Sequence, residues 1–154
     1  MAREHTLQLL ETLFERRREA VHLHDAWAQS LRSANCRKTV RAVGLIHGVR
    51  SLELLRSAQL MGGSLPDAAA RQPRVRSRLR TTFAAVRGDR AIMRRIEDEQ
   101  AGLVKAYSEA LANPSSNPVR RVLERHLAEE QRHLAWLGHR RGELGRPDRR
   151  RNVS

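Results

Sequence analysis

Leu123-Glu124-Arg125-His126-Leu127-Ala128-Glu129-Glu130-Gln131-Arg132-His133-Leu134-Ala135-Trp136-Leu137 decides the fold. The stretch holds neither glycine nor proline. Together with Val119, its Leu123, Leu134 and Leu137 return at helical spacing, the pattern of a helix with one buried stripe. His126, Glu130 and His133 lie four and three residues apart and fall on the same stripe, between Leu123 and Leu137. A polar group that helical phase forces onto an apolar face is informative, because leaving it unpaired there costs free energy.

Outward from this stretch, Asn117 and Pro118 read as the N-cap and first-turn proline of a helix expected to end near Gly142. Asp89 is the expected N-cap of a preceding helix that runs to Asn113-Pro114, with Ile92, Ile96, Leu103, Tyr107 and Ala110 on one side. A first helix is expected from Thr6 as N-cap to about Ser33, with Leu10, Leu13, Ala20, Val21, Trp27 and Leu31 inward. Asn35 opens a second, Cys36 to Met61, whose buried face is expected at Ala42, Leu45, Val49, Leu52 and Leu60 and which Gly62-Gly63 stops. Ser64 to Arg87 is a long connection, and its arginine-rich Val75–Val86 portion is expected to hold a short helix ending at Gly88. No strand pattern is evident. The fold class is all-α: a ferritin-like up-down four-helix bundle over residues 1–142, with a longer helix 2–3 connection containing a short helix. Residues 143–154, with Arg146, Pro147 and Arg149-Arg150-Arg151, read as a basic, disordered tail.

Composition narrows the function. A chain of 154 residues fits one domain at roughly 100–200 residues each. Its 30 basic residues, of which only Lys38 and Lys105 are lysines, outnumber 17 acids and leave a net charge of +13, almost all guanidinium. No apolar run approaches the roughly 18 residues that cross a bilayer, and Met1-Ala2-Arg3-Glu4-His5 lacks the apolar stretch expected of a secretory signal. A cytoplasmic protein without a membrane partner is expected. The single Cys36 excludes an internal disulfide and multi-cysteine metal sites, and no His–Asp pair is placed beside it as in a nucleophilic site. Gly62-Gly63 follows no strand, so a nucleotide phosphate loop is not implied. Trp27 and Trp136 read as core or interface anchors, and leftover apolar surface on such bundles leads to the expectation of a homodimer.

Glu130-x-x-His133 has the spacing that brings a carboxylate and an imidazole to one ion from one helix, as in di-iron and di-manganese bundles. The same pattern at Glu19 and His22 points away from the Leu13/Trp27 face and reads as solvated. On the inner faces of the other helices stand Arg17 and His24, then Glu53 and Arg56, then Glu99 or Gln100 according to how helix 3 is rotated.

The stretch Asp89–Leu137 also resembles the closing half of an uncharacterised bacterial ferritin-like family of four-helix domains, sometimes described as stress-associated. The likeness is carried by Ile96-Glu97-Asp98-Glu99-Gln100, Lys105-Ala106-Tyr107-Ser108-Glu109-Ala110-Leu111 and Leu123-Glu124-Arg125-His126 to His133. Leu9-Leu10-Glu11-Thr12 and Met61-Gly62-Gly63-Ser64-Leu65-Pro66 extend it to about Leu7–Leu137. On this resemblance, the acidic residue of the family's first helix falls at Arg17 and the glutamate of its third at Gln100, and both replacements remove negative charge.

Two readings of the interior follow. In the first, Arg17, His24, Glu53, Arg56, Gln100, His126, Glu130 and His133 form a buried salt-bridge network without a cofactor, because guanidinium keeps its proton and repels a metal. The chain is then a non-catalytic or weakly metal-binding bundle of unknown cellular role. In the second, Glu53, Glu99, Glu130, His133 and His126 hold iron or manganese, and the chain is a metal-binding protein or an oxidase. A further alternative is non-specific nucleic-acid binding through Arg149, Arg150 and Arg151 and through Arg71, Arg74, Arg76, Arg78, Arg80 and Arg87. Aromatic residues make up only 3%, which gives base stacking little to work with.

Overall fold

The computed structural model describes residues 2–65, 88–113 and 117–144. These form α1 (Ala2–Ser30), α2 (Ala34–Leu60), α3 (Asp89–Ala112) and α4 (Asn117–Leu144), with no strand among the described residues. The expected short helix at 75–86 and the basic tail beyond Leu144 lie outside the described residues.

Local chemistry moves the helix starts from the positions read in the sequence. Thr6 lies inside α1, where its hydroxyl bonds back to the Ala2 carbonyl at 2.9 Å. Ser33, not Asn35, caps α2 by accepting from the Cys36 amide. Gly88, at φ 85°, occupies the cap position of α3. Asp89 is therefore the first residue of α3, and its carboxylate accepts from the backbone amides of Arg32 and Ser33 at 2.8 and 2.6 Å. It ties the start of α3 to the α1–α2 turn. Arg37 closes the same turn by donating to the Leu31 and Arg32 carbonyls at the end of α1.

Two apolar clusters fill the bundle. One joins Leu10, Leu13 and Phe14 to Leu54, Ala58, Leu103, Ala110, Val119 and Leu123. The other joins Leu23, Trp27 and Leu31 to Cys36, Val40, Ile92, Ile96 and Leu137. Reading each helix through the clusters gives directions up, down, down, up. α1 packs most closely on α2 and α3 on α4, while α1–α3 and α2–α4 touch more sparsely. The chain leaves α2 at one end of the bundle and enters α3 at the other, roughly 40 Å away at 1.5 Å per residue. α2 and α3 therefore run in the same direction, not alternately.

The expected face of α2 is corrected. Ala42, Leu45, Val49, Leu52 and Leu60 are exposed, and the buried face is Cys36, Thr39, Val40, Val43, Gly44, His47, Ser51, Leu54, Ser57 and Ala58. Close approach of α1 is the reason. A Cβ on Gly44 would stand 3.0 Å from the Cβ of His24, so small and polar residues belong on the inner side. Arg56 turns outward with the exposed face and is not part of the interior. α3 settles its rotation with Gln100 inward and Glu99 half-buried beside Arg95, 3.5 Å away.

Candidate functional site

Between the two apolar clusters every helix turns polar side chains inward. α1 supplies Arg17 and His24, α2 His47, α3 Gln100 and the hydroxyl of Tyr107, and α4 His126 and Glu130, all buried. Arg17 is the junction. Its Nη1 stands 2.5 Å from Glu130 Oε1 and donates to His47 Nδ1 at 2.8 Å, while its Nε donates to the Tyr107 hydroxyl at 2.9 Å. The guanidinium also sits 5.0 Å from the centre of the Tyr107 ring. Gln100 donates its amide to the second oxygen of Glu130. Gln100 thereby satisfies one carboxylate oxygen, and the other faces Arg17 as an ion pair without a hydrogen bond.

These partners fix where the protons are. Arginine only donates, so His47 Nδ1 carries a lone pair and its proton rests on Nε2. A carbonyl only accepts, so His24, whose Nδ1 is 2.7 Å from the Ala20 oxygen, is protonated there and has its lone pair on Nε2. Glu53 accepts from His126 Nε2 at 2.6 Å, which leaves His126 Nδ1 to accept from the Tyr107 hydroxyl at 3.0 Å. The result is a directed chain, Arg17 to Tyr107 to His126 to Glu53, from the middle of the bundle to the α2–α4 seam. At that seam Arg50 and Arg125 also donate to Glu53, at 2.6 and 2.8 Å, and Arg50 grips Glu129 through Nε and Nη2 at 2.6 and 2.5 Å.

Burial sets the charge states. It lowers His24 and His126 to about 4, with the Ala20 carbonyl and Glu53, respectively, opposing it in part. Burial together with the charge of neighbouring groups takes His47 well below the ordinary value. Burial would raise Glu130, but His133, the Arg17 charge and Gln100 outweigh it and hold the carboxyl at about 2. Glu53 likewise reaches about 2 through His126, Arg125 and Arg50 against the effect of burial. Burial pushes Tyr107 up to about 12 despite Arg17. At neutral pH the layer is one buried cation, ionised carboxylates and neutral imidazoles.

Against known proteins, the chain aligns over 94% of its length with 93% of a crystal structure of a Xanthomonas campestris pv. campestris protein, at a TM-score of 0.59 and 17% identity. The fold is shared. No protein-family model and no curated protein matches the chain.

Of the residues read from the sequence, the layer unites Arg17, His24, Gln100, His126 and Glu130, with His133 at its edge, its Nδ1 3.9 Å from Glu130 Oε2. Glu53 reaches the layer through His126 from the α2–α4 seam. Glu99 lies on the other side of the bundle, lining an α1–α3 cleft of about 230 Å³ that also has His24, Trp27 and Gln100 in its walls. The five expected metal ligands therefore do not converge. Among the described residues no three His, Cys, Asp or Glu side chains group as a ligand set. Sequence reading missed His47, the Tyr107 hydroxyl, Arg50 and Glu129. His47 falls in phase with Val40, Val43 and Leu54, so choosing the other face of α2 would have found it. Cys36 is buried in the second apolar cluster. Arg149, Arg150, Arg151 and the arginines from Arg71 to Arg87 lie outside the described residues.

Several of the candidate donors are already committed. Glu130 is engaged by Arg17 and Gln100, both nitrogens of His126 are used, and His47 presents N–H rather than a lone pair.

Proposed function

We propose that this chain is a ferritin-like bundle in which an arginine–glutamate pair takes the place of a dinuclear metal centre, and that it acts as a non-catalytic binding or structural protein. The up-down-down-up order and the Glu130-x-x-His133 spacing support the ferritin-like reading. The observation that carries the proposal is the Arg17–Glu130 contact, 2.5 Å long and without solvent exposure on either side chain. A permanent cation there supplies the charge that an ion would otherwise bring.

Elemental analysis of protein purified without chelator, followed by titration with Fe(II), Mn(II) and Zn(II), tests it. No stoichiometric binding is expected. One equivalent of metal, lost in His133→Ala, would overturn the proposal in favour of a mononuclear site. That second reading has support of its own, since His24 Nε2 and His133 Nδ1 are buried without hydrogen-bond partners near Glu130. The net charge of +13 supports non-specific phosphate contact as an added property, to be read as a duplex gel shift that vanishes at moderate salt.

A further inference from the structure

The outer face of α2 has a composition unlike a solvated helix. Leu45, Val49, Leu52 and Leu60 are 74%, 57%, 63% and 80% exposed, and they fall on one stripe. Lys38 and Arg41 bracket the Leu45–Leu52 centre on one side and Arg56 on the other, all three exposed. The stripe carries no acid. Glu53, the single acidic residue of α2, is committed to Arg50, Arg125 and His126. A leucine centre between cations is a recognition pattern with a defined complement.

A second copy of the chain fits this pattern poorly. In an antiparallel α2 pair, the register that sets Leu45 on Leu52 of the other copy also sets Arg41 on its Arg56, and like charges meet at both ends. The outer strip of a 27-residue helix, roughly 40 Å by 10 Å, offers on the order of 400 Å². About 800 Å² per partner is usual for a stable association of two domains, so the face is scaled to a single helix.

We propose that this face docks an amphipathic helix of another protein, one whose leucine-type stripe is bracketed at both ends by aspartates or glutamates. The apolar centre supplies affinity and the Lys38/Arg41 and Arg56 cations fix register and partner sign.

The test uses the full chain and two labelled synthetic helices of roughly 20 residues. Both carry leucines at i, i+4 and i+7, one with glutamates at its ends and the other with lysines. Fluorescence anisotropy should show the glutamate helix binding at least about tenfold more tightly. Leu52→Glu should abolish binding, and Arg41→Glu with Arg56→Glu should reverse the preference. All three positions are exposed, so unchanged thermal melts confirm that the variants fold. Failure of the glutamate helix to bind, or equal binding of the two helices, overturns the proposal. So does sedimentation of the wild type as a dimer that Leu52→Glu converts to a monomer, which would give the face to a second copy.

Discussion

Arg17 concentrates the electrostatics of the interior on one side chain. Its charge is buried, and Glu130 is the anion in direct contact with it. Glu130→Leu leaves that cation uncompensated and should lower unfolding free energy by about 3–5 kcal/mol, as should Arg17→Met in the opposite sense. The double variant Arg17→Met/Glu130→Leu should recover most of the loss. Urea denaturation of the four proteins closes the cycle, and additive losses would mean that the pair is not coupled. Tyr107→Phe removes the hydroxyl between Arg17 and His126 and should cost about 1–3 kcal/mol by the same measurement. Arg17 was legible in the sequence because it keeps phase with Leu10 and Leu13. The Tyr107 hydroxyl was not, because helical phase marks the ring as core and says nothing of what the oxygen will meet across the bundle.

Among elements, α2 shows where sequence reading and packing diverge. All four helices were legible, since apolar residues recur with period 3.6 and Gly62-Gly63, Gly88 and Asn113-Pro114 mark boundaries between them. The face of α2 was not. Leu45, Val49, Leu52 and Leu60 point outward, while the buried side, Leu54 apart, is built mostly from smaller residues such as Thr39, Val43, Gly44 and Ser51. Hydrophobicity ranks side chains, whereas close helix contact selects for small volume, and on α2 the two criteria choose opposite faces. A pair of glycine substitutions measures that closeness. Gly44→Ala should destabilise by about 1–3 kcal/mol, because its methyl meets the Cβ of His24, which α1 holds in place. Gly48→Ala meets Val21 at 3.8 Å, an ordinary contact, and should stabilise by roughly 0.8–1 kcal/mol through helix propensity alone. Thermal melts that move the two variants in the same direction would contradict this packing. The start of α3 was read one residue late, because Asp89 has the chemistry of a cap but spends its carboxylate on the α1–α2 turn.

For the whole molecule, the buried imidazoles make stability depend on pH in a defined direction. His24 and His126 titrate at about 4 in the folded chain and near 6.5 when unfolded, and His47 is lowered in the same sense. Between these values the unfolded state binds protons that the folded state refuses, so stability is full above about pH 6.5 and falls as pH drops toward 4. The slope is up to about 1.4 kcal/mol per pH unit for each histidine. Glu53 and Glu130, held at about 2, add a second loss as pH falls from the ordinary carboxylate range through about 2. Urea midpoints should therefore decline from pH 7.5 to pH 5, and a flat profile would mean that these histidines are not neutral in the folded chain. The polar layer has one more effect, on how the four rods find their alignment. Greasy surfaces alone tolerate sliding by a turn, since one leucine replaces another at little loss. With the guanidinium set between two oily halves, a one-turn slip would drive a full charge into hydrocarbon, so the ion pair works as an index pin that admits a single vertical setting.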